Sequence, residues 1–255
     1  MRFAQRPAWR VLSPIDEVKR CFDKNACATL LESLDVSITE GVPAPSTHAG
    51  CRTLMAQRGW RSSFLKLSCG SSASCLALLR GTPERPVVFT MLKRDNGRWF
   101  NSLTIQRLDN PNVIEEVPRF LFGEGSRLER EHSKAPHDGR YVDLRVLCIA
   151  GEPRFFVLRQ STHPITNLHL GGGRGEPASF RPHISEEAWA VMESTCRTVA
   201  SAGRSFHLAL DVLFEPDLIT HRVIELNAFG DLLPNLRVAG ESVYEAQLSQ
   251  IKPWQ

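Results

Sequence analysis

The sequence predicts an α+β architecture: two lobes of mostly antiparallel sheet, each carrying helices. Three observations lead there. Strand-like segments come in pairs around turn-forming residues, at Asp95-Asn96-Gly97 and at Gly151-Glu152-Pro153, as hairpins require. Only a few segments with helix signals are mixed in among these hairpins. Finally, residues 206–227 read as two alternating strands around a Glu215-Pro216-Asp217 turn, with acids and an amide set inside apolar runs. The 255 residues suffice for one large domain or two small lobes. A seam near 123–127 gives a tail over 1–13, a first lobe over 14–125 and a second lobe over 126–255.

In chain order, Ser13-Pro14 followed by Asp16 and Glu17 is a helix start, with a hydroxyl cap, an early proline and acids at the positive dipole end. The helical region runs from about 14 to 34 and breaks near Asp23. Val42-Pro43-Ala44-Pro45 reads as a stiff connection, and 47–60 as the next helix. The period then changes to two: 64–67, 75–79, 86–92 and 99–106 are strand-like. Asn110-Pro111 opens a helix to about 121, and strands follow at 127–132, 142–149 and 154–160. Ser185 caps a helix to about 202, whose Trp189, Met192, Cys196 and Val199 form a core-facing stripe. The segment 241–251 is the last helix.

Composition excludes several classes. At 42% hydrophobic and 23% charged, with no apolar run long enough to span a bilayer, no membrane role is expected. A net charge of +3 is too mild to imply nucleic acid. Seven cysteines without a Cys-x-x-Cys pair, and no secretory signal, point to a reduced cytoplasmic setting. The arginine-bearing first ten residues are too short before the helix start to read as a presequence. His163, His169 and His183 lack zinc-ligand spacing, and Cys69 lacks a base.

The chemistry concentrates in three places. A symmetric hairpin centred near Leu218 brings Asp211 opposite Glu225, and alternation puts Val223, Glu225 and Asn227 on one face with Ile224 and Leu226 on the other. Asp211, Glu225 and Asn227 are hard oxygen donors suited to magnesium. Lys66 sits on a strand face with Phe64 and Ser68, ahead of a small-residue loop containing Ser71 and Ser72 that lets a polyphosphate approach backbone N–H groups. Asp143 and Arg145 share a strand face, Arg159 ends the returning strand, and a loop carrying Thr166, Asn167, His169, three glycines and Arg174 completes an anion cradle.

These pieces in this order resemble the ATP-grasp superfamily, nearest the ribosomal-protein glutamate ligase and glutathione synthetase branch. The matching residues are Asp23-Lys24, Lys66 before its loop, Asp143-Leu144-Arg145, Arg159, the Thr-Asn-Leu-His-x-Gly-Gly run, Asp211, and Glu225-Leu226-Asn227. The resemblance implies an ADP-forming ligase that joins a carboxylate to an amine, an amino acid or a peptide, with ATP and Mg2+ (or Mn2+) between two lobes. It implies phosphate contacts from Lys24 and Lys66, metal binding by Asp211, Glu225 and Asn227, and catalytic roles for Arg145, Arg159 and Asn167. The adenine-contacting strand falls at 128–132, which makes Glu129 and Glu131 nucleotide neighbours, and Lys134 stands where a ribose-contacting acid often follows.

Ligases of this type usually carry a further domain ahead of the grasp. With about 13 residues before the first helix, that domain is expected to be absent or supplied by another chain. The acyl side of the cleft is then expected to be open, for a partner chain, a second copy or a large peptide to cover, and the loop over 166–175 to be mobile without nucleotide. The alternative reading is a non-catalytic ATP-binding regulatory or scaffold domain of the same fold.

Overall fold

A computed structural model describes residues 11–70, 74–82, 84–123, 125–228, 233 and 235–251. Two sheets organise it. In the first, β1 (Gly41–Pro43), β2 (Ser63–Leu67), β3 (Ala77–Gly81), β4 (Pro86–Asp95), β5 (Arg98–Leu108) and β6 (Ser126–Arg130) lie in the order β1-β6-β2-β3-β4-β5. In the second, β8 (Arg140–Ile149), β9 (Glu152–Ser161), β10 (Gly173–Gly175), β11 (His207–Phe214) and β12 (His221–Asn227) lie in the order β10-β9-β8-β11-β12, and β7 (Pro136–His137) pairs with β8. Every pairing within these sheets is antiparallel.

Local chemistry fixes most of the elements. Asn96 and Gly97 both take positive φ, 46° and 74°, as the tight turn between β4 and β5 requires. The second hairpin turns one residue earlier than expected, at Ala150-Gly151 (φ 53° and 86°), so Glu152 and Pro153 already belong to β9. The first helical region breaks at Asp23 into α1 (Ile15–Phe22) and α2 (Lys24–Ser33). The cap that forms there is Asp23, which accepts from Asn25 and Ala26 N–H, whereas α1 has no side-chain cap. Thr47 caps α3 (His48–Gln57), Pro177 opens the short α5 (Pro177–Phe180), and Ser185 caps α6 (Glu186–Ala202). Three short strands lie outside the sequence expectations, β1 in a stiff connection, β7, and β10 in a loop, because strands of two or three residues carry no periodicity and exist through the partner beside them.

The cores show which elements belong together. α3 and α4 (Pro111–Gly123) pack on the first sheet, with Met55, Leu65, Leu79, Ile114 and Leu121 between them. α6 packs on one face of the second sheet, its stripe Trp189, Met192, Cys196 and Val199 buried as expected. Cys21, Cys27 and Leu31 of α1 and α2 join that second core. β6 meanwhile pairs with β1 and β2 in the first sheet. The division between the sheets therefore falls after Arg130, and the first two helices share a core with the later part of the chain. The opposite face of the second sheet is covered at one end by α7 (Val243–Ile251), through Leu147, Ile149, Ala209 and Val243.

On β8 the alternation is plain: Val142, Leu144, Val146 and Cys148 enter the α6 core, while Leu147 and Ile149 pack under α7. Asp143 and Arg145, on that second face, lie beyond the reach of α7 and line a cleft. Helix coverage of half a sheet face thus leaves the other half for charged side chains.

Candidate active site

A cleft of about 630 Å³ opens between the sheets. Its floor is that half-face of the second sheet, where register sets two rows. In one, Arg174 of β10 pairs with Arg159 of β9, which pairs with Asp143 of β8. In the other, Arg145 of β8 pairs with Asp211 of β11, which pairs with Glu225 of β12. Directly opposed residues face the same side; Arg159–Asp143 and Arg145–Asp211 set opposite charges together, which stabilises the pairing, whereas Arg174–Arg159 and Asp211–Glu225 set like charges together.

The rows are cross-linked. Arg145 holds both Asp211 oxygens, Nε to Oδ1 at 2.8 Å and Nη2 to Oδ2 at 3.0 Å. Arg159 bridges the rows, donating from Nε to Asp143 at 2.7 Å and from Nη1 to Asp211 at 3.0 Å. Lys134 Nζ reaches Asp143 at 2.6 Å and Thr166 Oγ1 at 2.8 Å, and the Thr166 hydroxyl donates to Asp143. Burial pushes the Asp143 and Asp211 carboxyls up, but the guanidinium of Arg159, joined by Lys134 at Asp143 and by Arg145 at Asp211, outweighs it and holds both below the usual carboxylate range. Burial pulls the Lys134 ammonium down further than Asp143 restores it.

Across the cleft stand Lys66 and Lys24. Lys66 Nζ donates to Glu129 Oε2 at 2.5 Å and lies 5.5 Å from the centre of the Phe64 ring. Burial lowers the Lys66 ammonium, yet Glu129 and Glu225 more than reverse it, so the net displacement is upward. Glu129 is also 3.3 Å from Arg127, whose Nη1 holds Asn25. Lys24, at the start of α2, donates to Gly70 O at 3.0 Å and pairs with Glu225 at 3.2 Å. It thereby ties the first sheet's β2–β3 loop to the second sheet.

Asp211 is opposite Glu225, as the centred hairpin predicts, and Asn227 lines the same cleft. The strict alternation is broken, however. The register shifts between Asp211 and Val212, so that Val212 pairs with Val223 and Ile224 is the extra residue. Val223 turns into the α6 core beside Leu226, leaving the face that the alternation shared among Val223, Glu225 and Asn227. The Asn227 Nδ2 is buried without a hydrogen-bond partner. That unpartnered atom is a donor and not a cation ligand; the oxygens of Glu225 and Asn227 are of the hard type a divalent cation takes, while both Asp211 oxygens are held here by Arg145 and Arg159.

Other expected residues fare differently. Glu131 is turned from the cleft, its carboxylate held by Arg80 (Nε at 3.0 Å). Lys134 lines the cleft, but bound to Asp143 rather than standing where a ribose would contact it. Ser71 and Ser72 lie outside the described residues. Asn167 lines the cleft and accepts from His169 N–H at 2.8 Å. The loop over 166–175 makes one apolar contact with the first sheet. Leu170 and Ile165 bury against Leu76 and Met91 of the first lobe. A Cβ on Gly172 would sit 2.7 Å from Asn167 O, so the turn folds tightly on itself. Residues 173–175 form β10. His132, at the end of the stretch expected to contact adenine, has its Nδ1 3.3 Å from Glu215 while its Nε2 is buried in the cleft wall without a partner.

No family model matches the sequence, and no curated protein matches it. Solved structures match in fold. The ATP-grasp ligase PsnB, complexed with minimal precursor, Mg and ADP, aligns over 91% of this chain and 59% of its own, with a TM-score of 0.51 at 15% identity. The macrocyclase MdnC from Microcystis aeruginosa MRC, bound with precursor peptide MdnA, aligns over 94% and 62%, with a TM-score of 0.54 at 10% identity. N5-carboxyaminoimidazole synthase from Aspergillus clavatus, in complex with ADP and its ribonucleotide, aligns over 87% and 48%, with a TM-score of 0.53 at 10% identity. This chain spans less than two thirds of the length of each. At such identities the likeness is one of fold, and the two facing sheets with a charged cleft between them have the ATP-grasp fold.

Proposed function

We propose that this chain is an ATP-dependent, ADP-forming carboxylate–amine ligase, acting on an amino acid or peptide in the cytoplasm and nearest the glutathione synthetase and ribosomal-protein glutamate ligase branch. A substrate carboxylate oxygen takes the γ-phosphoryl group of ATP, giving an acyl phosphate and ADP. An amine then attacks the acyl carbon, and phosphate leaves as the amide forms. The observation that carries this reading is the convergence of cations on one cleft from opposite walls, Lys24 and Lys66 facing Arg145, Arg159 and Lys134, beside the Asp211, Glu225 and Asn227 donor set.

In this reading Lys24 and Lys66 exchange Glu225 and Glu129 for phosphate oxygens, and His132 with Glu129 borders the base. Arg145 and Arg159, fixed by buried carboxylates, stabilise charge on the phosphoryl and acyl oxygens without reorganising. Lys134 and Thr166 position Asp143, and through it Arg159. Asn167 orients the acyl group. Magnesium, or manganese in its place, held by Asp211, Glu225 and Asn227, would neutralise phosphate charge. Leu170, seated on the first lobe, keeps water from the acyl side.

A second reading, an ATP-binding regulatory domain without turnover, draws support from the pairing of both Lys24 and Lys66 with carboxylates. One assay separates the two: ADP and phosphate release from Mg·ATP with pooled amino acids and peptides. Turnover that needs both a carboxylate and an amine is expected. Lys66→Ala should weaken ATP binding by about 1.5–3 kcal/mol, the range for a charged hydrogen bond. Tight nucleotide binding without ADP formation would favour the regulatory domain, and no nucleotide binding would reject both.

A further inference from the structure

Two cysteines take no part in that chemistry and yet adjoin the cleft. Cys21, at the end of α1, lines the cleft wall with Phe22 and Lys24. Cys27, in the first turns of α2 beyond the Asp23 break, lines a small adjoining cavity shared with Lys24 and Glu225. Cys27 Sγ lies 3.1 Å from Arg20 O and 3.7 Å from Cys21 O, which sets the two cysteines beside each other across the α1–α2 break. The neighbouring Cys27 draws the Cys21 thiol down against burial, while Cys21 and then burial raise the Cys27 thiol. The other close pair makes the contrast: Cys148 Sγ points to Cys196 O at 3.9 Å inside the α6 core, neither residue lines the cleft, and burial pushes the Cys148 thiol up to about 12.

We propose that Cys21 and Cys27 form a thiol-oxidation site, at which hydrogen peroxide entering the cleft closes a disulfide across the α1–α2 junction and displaces Lys24. The Cys21 sulfur attacks one peroxide oxygen, the O–O bond breaks, and the leaving hydroxide takes the Cys21 thiol proton as water, giving a sulfenic acid. The Cys27 sulfur then attacks the Cys21 sulfur, the S–O bond breaks, and its oxygen leaves as water with the Cys27 proton. Two thiols and one peroxide become one disulfide and two waters. Forming that bond takes Cys27 Sγ from Arg20 O and draws the first turn of α2, which carries Lys24, toward α1. The effect on nucleotide rests on the role proposed above for Lys24; the oxidation itself does not.

The test uses the full reduced chain, titrated with hydrogen peroxide, then unfolded, alkylated and mapped by peptide mass. A disulfide linking positions 21 and 27 is expected, reversed by dithiothreitol, slowed by Mg·AMPPNP, and lost in Cys21→Ser and in Cys27→Ser. Cys148 and Cys196 should remain alkylatable. The oxidised chain should bind AMPPNP roughly tenfold or more weakly, the worth of one charged hydrogen bond. Oxidation confined to the exposed Cys69, with Cys21 and Cys27 still reduced, would overturn the site. A 21–27 disulfide with unchanged AMPPNP affinity would overturn the displacement of Lys24. If the disulfide forms but the reduced chain binds no AMPPNP, the nucleotide reading fails and the oxidation site stands.

Discussion

Asp211 and Glu225 face each other across a ladder, yet their surroundings set them to different work. The Asp211 side chain is 5% exposed and saturated by two guanidinium groups, whereas that of Glu225 is 26% exposed and has one ion pair, to Lys24. Removing a charge from a buried network leaves its partners unpaired, so Asp211→Asn should cost about 3–5 kcal/mol of stability, read as a lower denaturation midpoint. Glu225→Gln should cost no more than about 1 kcal/mol, the range for a partly exposed pair. Its metal-dependent ADP formation should nevertheless fall at least by the roughly 10–100-fold that outer partners of a metal ligand are worth. Equal stability losses in the two variants would show that their environments are not as different as this. Charge types were visible in the sequence at these positions, but the bidentate grip of Arg145 on Asp211 was not, because partners 66 residues apart meet only through strand order.

At the scale of elements, the bulge at Ile224 decides the site. Without it, Val223 would share the cleft face with Glu225; with it, Val223 fills the core and Glu225 keeps the cleft. The docking of α7 carries a pH dependence of its own. Gln247 on α7 hydrogen-bonds His207 Nδ1 on β11, and burial lowers the His207 imidazole to about 4. The unfolded chain takes up this proton near pH ~6.5, while the folded chain refuses it until about 4. The neutral ring's contribution is therefore complete above ~6.5 and is lost as pH falls toward the folded value, by up to about 3 kcal/mol. Thermal denaturation across that window should show the slope in the parent chain and a flatter one in His207→Asn. The buried carboxylates Asp143 and Asp211 add their own loss below ~3.9, so the two effects separate by window.

For the whole molecule, Lys24 and Leu170 are two of the ties between lobes, one charged and one apolar. Lys24 joins Gly70 to Glu225, and Leu170 with Ile165 sits on Leu76 and Met91. A nucleotide held from both walls should add to these ties. Mg·AMPPNP at a hundred times its Kd should stabilise the chain by about 2.7 kcal/mol, raising the midpoint of calorimetric unfolding in the sheets together. A rise confined to one of two separate transitions would mean that the ligand is gripped by one lobe alone.

The sequence by itself determined the α+β class, the hairpins at Asn96-Gly97 and Gly151, the core stripe of α6, the opposition of Asp211 to Glu225, and the gathering of Lys24, Lys66, Arg145, Arg159 and Asn167 on one cleft. All but the last follow from turn chemistry, periodicity and symmetric pairing, which are local; the gathering on one cleft is what the resemblance to the ATP-grasp superfamily implies. Tertiary structure alone decided that α1 and α2 share the second core, that β6 closes on β1, that Glu131 turns to Arg80, that Lys134 serves Asp143, and that the glycine loop contacts the first sheet through Leu170. Each of those depends on which distant segment lies alongside. Period and propensity say which face of an element is apolar or charged, but not which neighbour meets it, and here the neighbours come from across the chain.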